Sequence, residues 1–265
     1  MDFYSSLGYG SKGAAEEVPT KESVLAQEET DPNSTIDAKR LVTTAASLLK
    51  RKTDKPGKFL DIGCGYGFFS VEAINRGFEV TALDTATNKQ KVTREITGLN
   101  PAASSFESFD CAPASFSVVL MSQILEHVSD VNLWISKAYN ILVGGGVLAI
   151  ALPNFGNAFR YVLREKSPYI IPPEHLNFFN SKNLSILLEK HGFTVESREW
   201  VSRVPKRILK ARIPRVASPL LPIIDVMTKS VLNMFDALHL GLMVNVYARK
   251  VSQLPLEQPA TFERE

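Results

Sequence analysis

The chain has 265 residues, 45% of them apolar, and a formal net charge of +2. Such a chain holds one α/β domain with additions and a sizeable core; global disorder is excluded, and the balanced charge gives no argument for a nucleic-acid partner. Two cysteines, Cys64 and Cys111, with no CxxC pair, exclude a disulfide framework and a structural zinc site. Residues 1–35 are polar and read as a flexible N-terminal arm with one helix around Lys21 to Glu29. Met1 to Ser11 lacks a basic stretch leading into an apolar run, and no apolar run is long enough to span a bilayer, so a cytoplasmic location is expected.

An α/β pattern over 36–252 follows. Asn33-Ser34-Thr35 can cap a helix whose apolar positions Leu41, Val42, Ala45, Leu48 and Leu49 share one face. Lys58 to Ile62 reads as a strand, Gly63 to Gly67 as a glycine turn, Phe68 to Arg76 as a helix, and Phe78 to Leu83 as a strand ending in Asp84. Asn88 to Ile96 is helical. Pro101 to Ser115 is ambiguous, with a poor strand near Ser104 to Phe109. Phe116 to Met121 is a strand, Val131 to Leu142 a helix, Gly144 to Gly146 a turn and Val147 to Ala151 a strand stopped by Pro153. Residues 155–180 form an irregular insertion. Ser181 caps a helix ended by Gly192, Phe193 to Trp200 is a strand, 201–241 is a second insertion, Leu242 to Arg249 is the last strand, and 253–265 is a mobile tail. Strands separated by helices of this length make parallel βαβ units.

The segment Phe59-Leu-Asp-Ile-Gly-Cys-Gly-Tyr-Gly67 is a D-x-G-x-G-x-G turn between strand and helix. Glycines allow tight backbone and close approach of a ligand, the helix start offers N–H groups to an anion, and Asp84 ends the next strand where a carboxylate can accept ribose hydroxyls. A dinucleotide fingerprint, G-x-G-x-x-G, would need its third glycine at Phe68. The spacing instead resembles the first motif of the class I S-adenosylmethionine-dependent methyltransferases. The stretch Phe116 to Asp130, containing Leu125-Glu-His-Val128, the Pro153-Asn154 stop and Pro173-Glu-His-Leu-Asn-Phe-Phe179 extend the resemblance toward a bacterial subgroup that includes ubiquinone-type O-methyltransferases. Ser117, where the family has an Asp, departs from it.

The resemblance implies a doubly wound, mostly parallel seven-stranded sheet with an antiparallel last strand and helical insertions. It implies S-adenosyl-L-methionine as cofactor and S-adenosyl-L-homocysteine as product. Asp61, Gly63, Cys64, Gly65 and Gly67 would line the methionine and ribose, and Asp84 would take the ribose hydroxyls. Ser108 and Phe109 are candidates beside the adenine, and Gln123 approaches the cofactor from the fourth strand of the family pattern. The acceptor is expected to be a hydroxyl of a small molecule, a lipid-linked intermediate or a saccharide. Oxygen nucleophiles use a base, and His175 and His127 are the candidates, His127 alternatively bracing its loop; His191 and His239 read as structural. Glu126, His127 and Asp130 form a mixed cluster, but neighbouring Glu and His on a turn rarely aim at one ion, so no metal is expected.

Within 201–241 the positions Arg203, Lys206, Arg207, Lys210, Arg212 and Arg215 are basic with no acidic residue among them, and an amphipathic helix follows over Asp225 to Leu240. Three readings compete: a lid over the acceptor, a peripheral membrane contact through 203–224, and a nucleic-acid patch, disfavoured by the lack of stacking aromatics. Two other functions stay open, an NAD-type oxidoreductase and a non-catalytic S-adenosylmethionine-binding protein.

Overall fold

The computed structural model describes residues 19–50, 57–164, 167, 173–204 and 221–251. In chain order these give α1 (Lys21–Thr30), α2 (Asn33–Lys50), β1 (Lys58–Ile62), α3 (Phe68–Asn75), β2 (Glu79–Leu83), α4 (Gln90–Thr97), β3 (Phe116–Ser122), α5 (Val131–Ile141), β4 (Leu142–Pro153), α6 (Ala158–Leu163), α7 (Ser181–Lys190), β5 (Phe193–Val201), α8 (Leu221–Ala237) and β6 (Met243–Lys250). The sheet order is β2-β1-β3-β4-β6-β5. β1, β2, β3 and β4 run parallel, and β6 lies antiparallel to both β4 and β5.

Successive residues of each central strand face opposite sides. Val119 and Met121 join Leu148 and Ile150 in the core under α5 and α7, while Val118 and Leu120 join Val147 and Ala149 in the core under α2 and α3. Both faces are therefore covered, as a parallel sheet requires. β1 sits between β2 and β3, so the winding reverses there. The crevice beyond the carboxyl ends of β1 and β3 is the place where this topology puts ligands.

Among the described residues the sheet has six strands where seven were expected. The missing strand is a single parallel bridge, Leu83 to Ala102, closed by Ala102 N–H to the Ala82 carbonyl (2.9 Å) and Asp84 N–H to the Ala102 carbonyl (3.1 Å). Ser104 to Phe109 is no strand, because the serine hydroxyls bond one another and the local backbone: Ser108 Oγ lies 3.1 Å from Ser104 Oγ and 3.0 Å from Ser105 Oγ. The Gly144 to Gly146 stretch belongs to β4 as an irregularity opposite Ser117, with Gly145 at φ 81°.

Local chemistry shifts other boundaries. The first N–H groups of α2 are met by Glu28 of α1, which accepts from Ser34 (3.1 Å) and Thr35 (3.0 Å). That contact, the Thr20 cap of α1, buried Val24 and a bond from Lys21 Nζ to the Glu95 carbonyl (2.9 Å) dock 19–35 on the domain, so this part of the expected arm is not loose. Asn180, not Ser181, caps α7, through a capping box with Asn183. The 155–180 insertion contains the short helix α6. Helix α8 begins at Leu221, earlier than expected. Lys206 to Arg215 and the tail from 252 lie outside the described residues. Among the described residues no helix is long and apolar enough to cross a membrane.

Candidate active site

The glycine turn hangs from β2. Gly63 and Cys64 N–H both donate to the Leu83 carbonyl (2.8 and 2.9 Å), and Gly67 N–H to the Cys64 carbonyl (2.8 Å). Gly63, Gly65 and Gly67 have φ of 71°, 53° and 82°, where side chains are strained. A Cβ on Gly63 would lie 2.2 Å from Ile124 Cδ1, and one on Gly67 2.3 Å from Thr97 Cγ2, whereas one on Gly65 would meet nothing within 4 Å. Gly63 and Gly67 are thus glycine for packing, and Gly65 keeps open space beside the turn. Asp84 completes the cradle: its Oδ2 accepts from Gly65 N–H and its Oδ1 from Ala86 N–H, each at 2.7 Å. Thr93 Oγ1 donates to the Gly65 carbonyl at 2.7 Å.

Asp61 is buried beneath this turn and accepts from Ser70 Oγ at 2.7 Å. Burial pushes its carboxyl up to about 6, with the Asp84 charge adding to the effect, so its present task is to hold α3 against β1. Burial, and the Asp61 and Asp84 charges, push the Cys64 thiol well up, which keeps it inert. Gln123 stands exposed just past β3 with φ 57°, its N–H bonded to the Ala151 carbonyl at 2.8 Å. Ser108 is engaged in the serine turn and Phe109 packs against the core. The residues that leave the sheet beside Asp84 are those after Ala102.

The second half of the site forms where β3 and β4 end. Glu126, His127 and His175 bring one ligand atom each to within 4.8 Å of one another. The 173–180 loop is laid over the 123–128 turn by Leu176 and Asn177 N–H to the Glu126 carbonyl (2.8 and 3.0 Å) and by Asn177 Nδ2 to the Val128 carbonyl (2.7 Å). His127 Nδ1 lies 2.8 Å from the Glu174 carbonyl. A carbonyl only accepts, so Nδ1 carries the proton and Nε2 turns its lone pair toward Glu126 Oε1, 3.9 Å away. Burial holds His127 below its ordinary value and hence neutral. Its ring meets that of His175 edge-on, centroids 4.9 Å apart.

Glu126 is 2% exposed, and neither of its carboxyl oxygens has a hydrogen-bond partner among the described residues. Burial pushes it up to about 7. An orphaned buried carboxyl of this kind suits a proton, a cation or a donor from a ligand. Glu126 and His127 turn inward together, where neighbouring Glu and His on a turn were expected to point apart. Asp130 is not part of the group, because it caps α5 by accepting from Leu133 N–H at 3.0 Å, and His175 takes the third place. Glu126, Phe155, Arg160 and His175 line a cavity of about 10 Å³, the room of one water. Arg160 stacks on the Phe155 ring at 3.9 Å. His191 bonds Ser136 and Asn132, and His239 stacks on Trp200, both away from this cluster.

Sequence reading missed Ile124, which packs on Gly63, and Thr93, which bonds the Gly65 carbonyl; both contacts join segments distant in sequence. Asn154 was noted only as part of the Pro153-Asn154 stop; in the structure its Nδ2 donates to the Gly241 carbonyl (2.8 Å) while its Oδ1 accepts from Gly156 N–H (2.9 Å), fixing the loop after β4.

A family model described as a methyltransferase domain matches residues 36–198, more than half of the chain. The chain is a member of the class I S-adenosylmethionine-dependent methyltransferases. It is 28% identical over 172 residues to the mitochondrial ubiquinone biosynthesis O-methyltransferase of Mus musculus, covering 59% of this chain and 46% of the relative. It is 31% identical over 156 residues to the ubiquinone biosynthesis O-methyltransferase of Brucella ovis, covering 52% and 63%. The chain thus spans about half to two thirds of these relatives. A methyltransferase structure from Archaeoglobus fulgidus shares the fold, with TM-score 0.56, 19% identity and coverage of 86% and 99%. The cofactor of this family is S-adenosylmethionine, and the residues fit it: Gly65 leaves room at the turn, and Asp84 offers a carboxylate beside it.

Proposed function

We propose that this methyltransferase methylates a hydroxyl of a small molecule, a saccharide or a lipid-linked intermediate. The observation that carries the reading is the convergence of Glu126, His127 and His175 beyond the ends of the parallel strands. The names of the curated relatives favour oxygen as the acceptor atom. The cofactor, when bound, supplies the methyl group on a sulfonium that is its own leaving group.

The chain's residues have separate tasks. Gly63, Gly65 and Gly67 bring backbone to the methionine part, Asp84 takes the ribose hydroxyls, and Gln123 faces the cofactor from the strained turn. Ser108 and Phe109 remain adenine-side candidates only if the 102–109 segment turns on binding. His175 takes the proton from the acceptor hydroxyl, and neutral His127, its tautomer held by Glu174, braces it. Glu126, near half-protonated at neutral pH, exchanges the proton with the pair. The acceptor enters beside Phe155 and Arg160, which line the cavity. The domain is read as 36–252 with its two insertions over the acceptor. A cytoplasmic location with peripheral membrane contact through 203–224 belongs to this proposal; of that stretch only Arg203, Val204 and 221–224 are described.

His175→Ala should lower turnover by about tenfold or more with S-adenosylhomocysteine affinity unchanged. An unchanged turnover would sink the base assignment. One observation favours a second occupant of the cluster: the three donor atoms are close enough to share a divalent cation. Turnover that falls on chelation and returns with added Mg²⁺ or Zn²⁺ selects the cation; indifference to chelator selects the shared proton.

A further inference from the structure

Several arginines among the described residues are spent on the fold. Arg76 meets Glu72 at 2.7 Å, Arg203 meets Asp37 at 2.9 Å, Arg249 meets Glu196 at 2.8 Å, and Arg198 donates to Ser185 Oγ at 2.9 Å. Arg160 differs. Its guanidinium lies over the Phe155 ring at 3.9 Å and 5.6 Å from the centre of the Tyr161 ring, and its side chain has no carboxylate or other hydrogen-bond acceptor among the described residues. Glu126 lines the same cavity, yet both its carboxyl oxygens lack a hydrogen-bond partner, so the guanidinium is not spent there either. A guanidinium offers five donors and no acceptor, and these donors are left to water or to a ligand.

The surroundings fix where that charge sits. Asn157, buried before α6, accepts from Arg160 N–H (3.0 Å) and donates through Nδ2 to the Asn154 carbonyl (2.6 Å). Phe155 is anchored by its N–H to the Phe179 carbonyl (2.7 Å) and by the Phe178 ring, centroids 5.1 Å apart. A guanidinium seated on an anchored ring has fewer conformations to lose on binding, and its planar fork matches the two oxygens of a carboxylate or a phosphate. We infer that Arg160 is a specificity-determining residue that receives an anionic group, a carboxylate or a phosphate, carried by the methyl acceptor. The inference rests on reading Glu126, His127 and His175 as the acceptor site. Arg160 and His175 line one cavity, so the reacting hydroxyl and the anionic group belong on one small frame. A neutral acceptor at this place would strip water from the guanidinium and give no acceptor in return, which disfavours it.

The test is titration of the full chain, with and without S-adenosylhomocysteine, with phenol, para-hydroxybenzoate and para-hydroxyphenyl phosphate. Chelator in the buffer keeps a cation from holding the anion, and about pH 6 keeps Glu126, pushed up to about 7, mostly protonated. The wild type is expected to bind one of the anionic phenols about tenfold or more tightly than phenol, and the tighter of the two tells carboxylate from phosphate. Arg160→Gln should bring that ratio close to one, and Arg160→Lys, which keeps the charge without the fork, should leave it in between. Equal affinity of the wild type for phenol and both anions, binding of none of the three, or an unchanged ratio in Arg160→Gln overturns the proposal. A thermal melt of each variant separates a lost ratio from a lost fold. The transferase reading fails separately: a wild type that does not bind S-adenosylhomocysteine, or a His175→Ala variant with unchanged turnover, strikes that reading and leaves the anion ratio standing.

Discussion

The two halves of the site are built in opposite ways. The glycine turn is local: residues 63–67 with Asp84, three glycines with positive φ and one carboxylate, joined by hydrogen bonds of 2.7–2.9 Å. The acid–imidazole cluster is assembled from the turn after β3 and the loop before α7, and its central carboxyl has no hydrogen bond among the described residues. A local motif holds its shape through backbone geometry, and a substitution there is felt as strain. A composite cluster holds its shape through packing, and its chemistry is set by burial. The comparison teaches that the glycine-turn half is rigid by sequence and the acid–imidazole half is tuned by environment.

The sharpest way to break the comparison is Gly63→Val. The new side chain must occupy left-handed backbone and push Ile124 aside, and it should cost about 3 kcal/mol or more, lowering Tm by roughly 6–12 °C. A loss of less than 1 °C in a thermal melt (about 0.3 kcal/mol) would deny that the turn is strained into place.

Next in size is Glu126→Gln, which acts on the other half. Because the folded carboxyl is pushed from its ordinary 4.5 up to about 7, the folded state binds more protons than the unfolded state between those values. The wild type therefore loses stability as pH rises from about 4.5 to 7 and holds level above, by at most about 3 kcal/mol from this group. The Gln variant should lack that slope, gaining on the wild type toward pH 8 in chelator-containing buffer. Parallel urea-melt profiles for the two proteins would contradict the burial argument.

Asp84→Ala should weaken S-adenosylhomocysteine binding by about tenfold or more, with a smaller loss of stability from the two N–H groups left unpaired. Smallest in stability and most discriminating is Gly65→Ala. The position is open, so only the left-handed backbone is penalised, by about 1 kcal/mol, yet the methyl group enters the space kept for the ligand. Melting and titration of one preparation separate the two effects.

How much was legible follows the same division. The β1 turn, Asp84 and the strands carrying Val118 to Met121 and Val147 to Ile150 were readable because apolar runs and glycines act locally. The missing seventh strand was not, because Ala102 pairs through backbone groups that carry no side-chain signature, while the nearby serines satisfy themselves. Docking of α1 was hidden for a similar reason: Glu28 reaches across to cap α2, a contact no single-helix pattern announces. In the acid–imidazole half the histidines were found by type, but the inward turn of Glu126 and the exclusion of Asp130 depend on Asn177 clamping one loop over another. Ile124 looked like one more apolar residue until the φ of Gly63 put it against the turn.

The most direct test of the central claim is calorimetric titration of the wild type and Gly65→Ala with S-adenosylhomocysteine, with NAD in parallel. Saturable binding of S-adenosylhomocysteine to the wild type, none of NAD, and a strongly weakened Gly65→Ala variant are predicted. Binding of NAD instead, or unchanged affinity in the variant, would contradict the account of what the glycine turn holds.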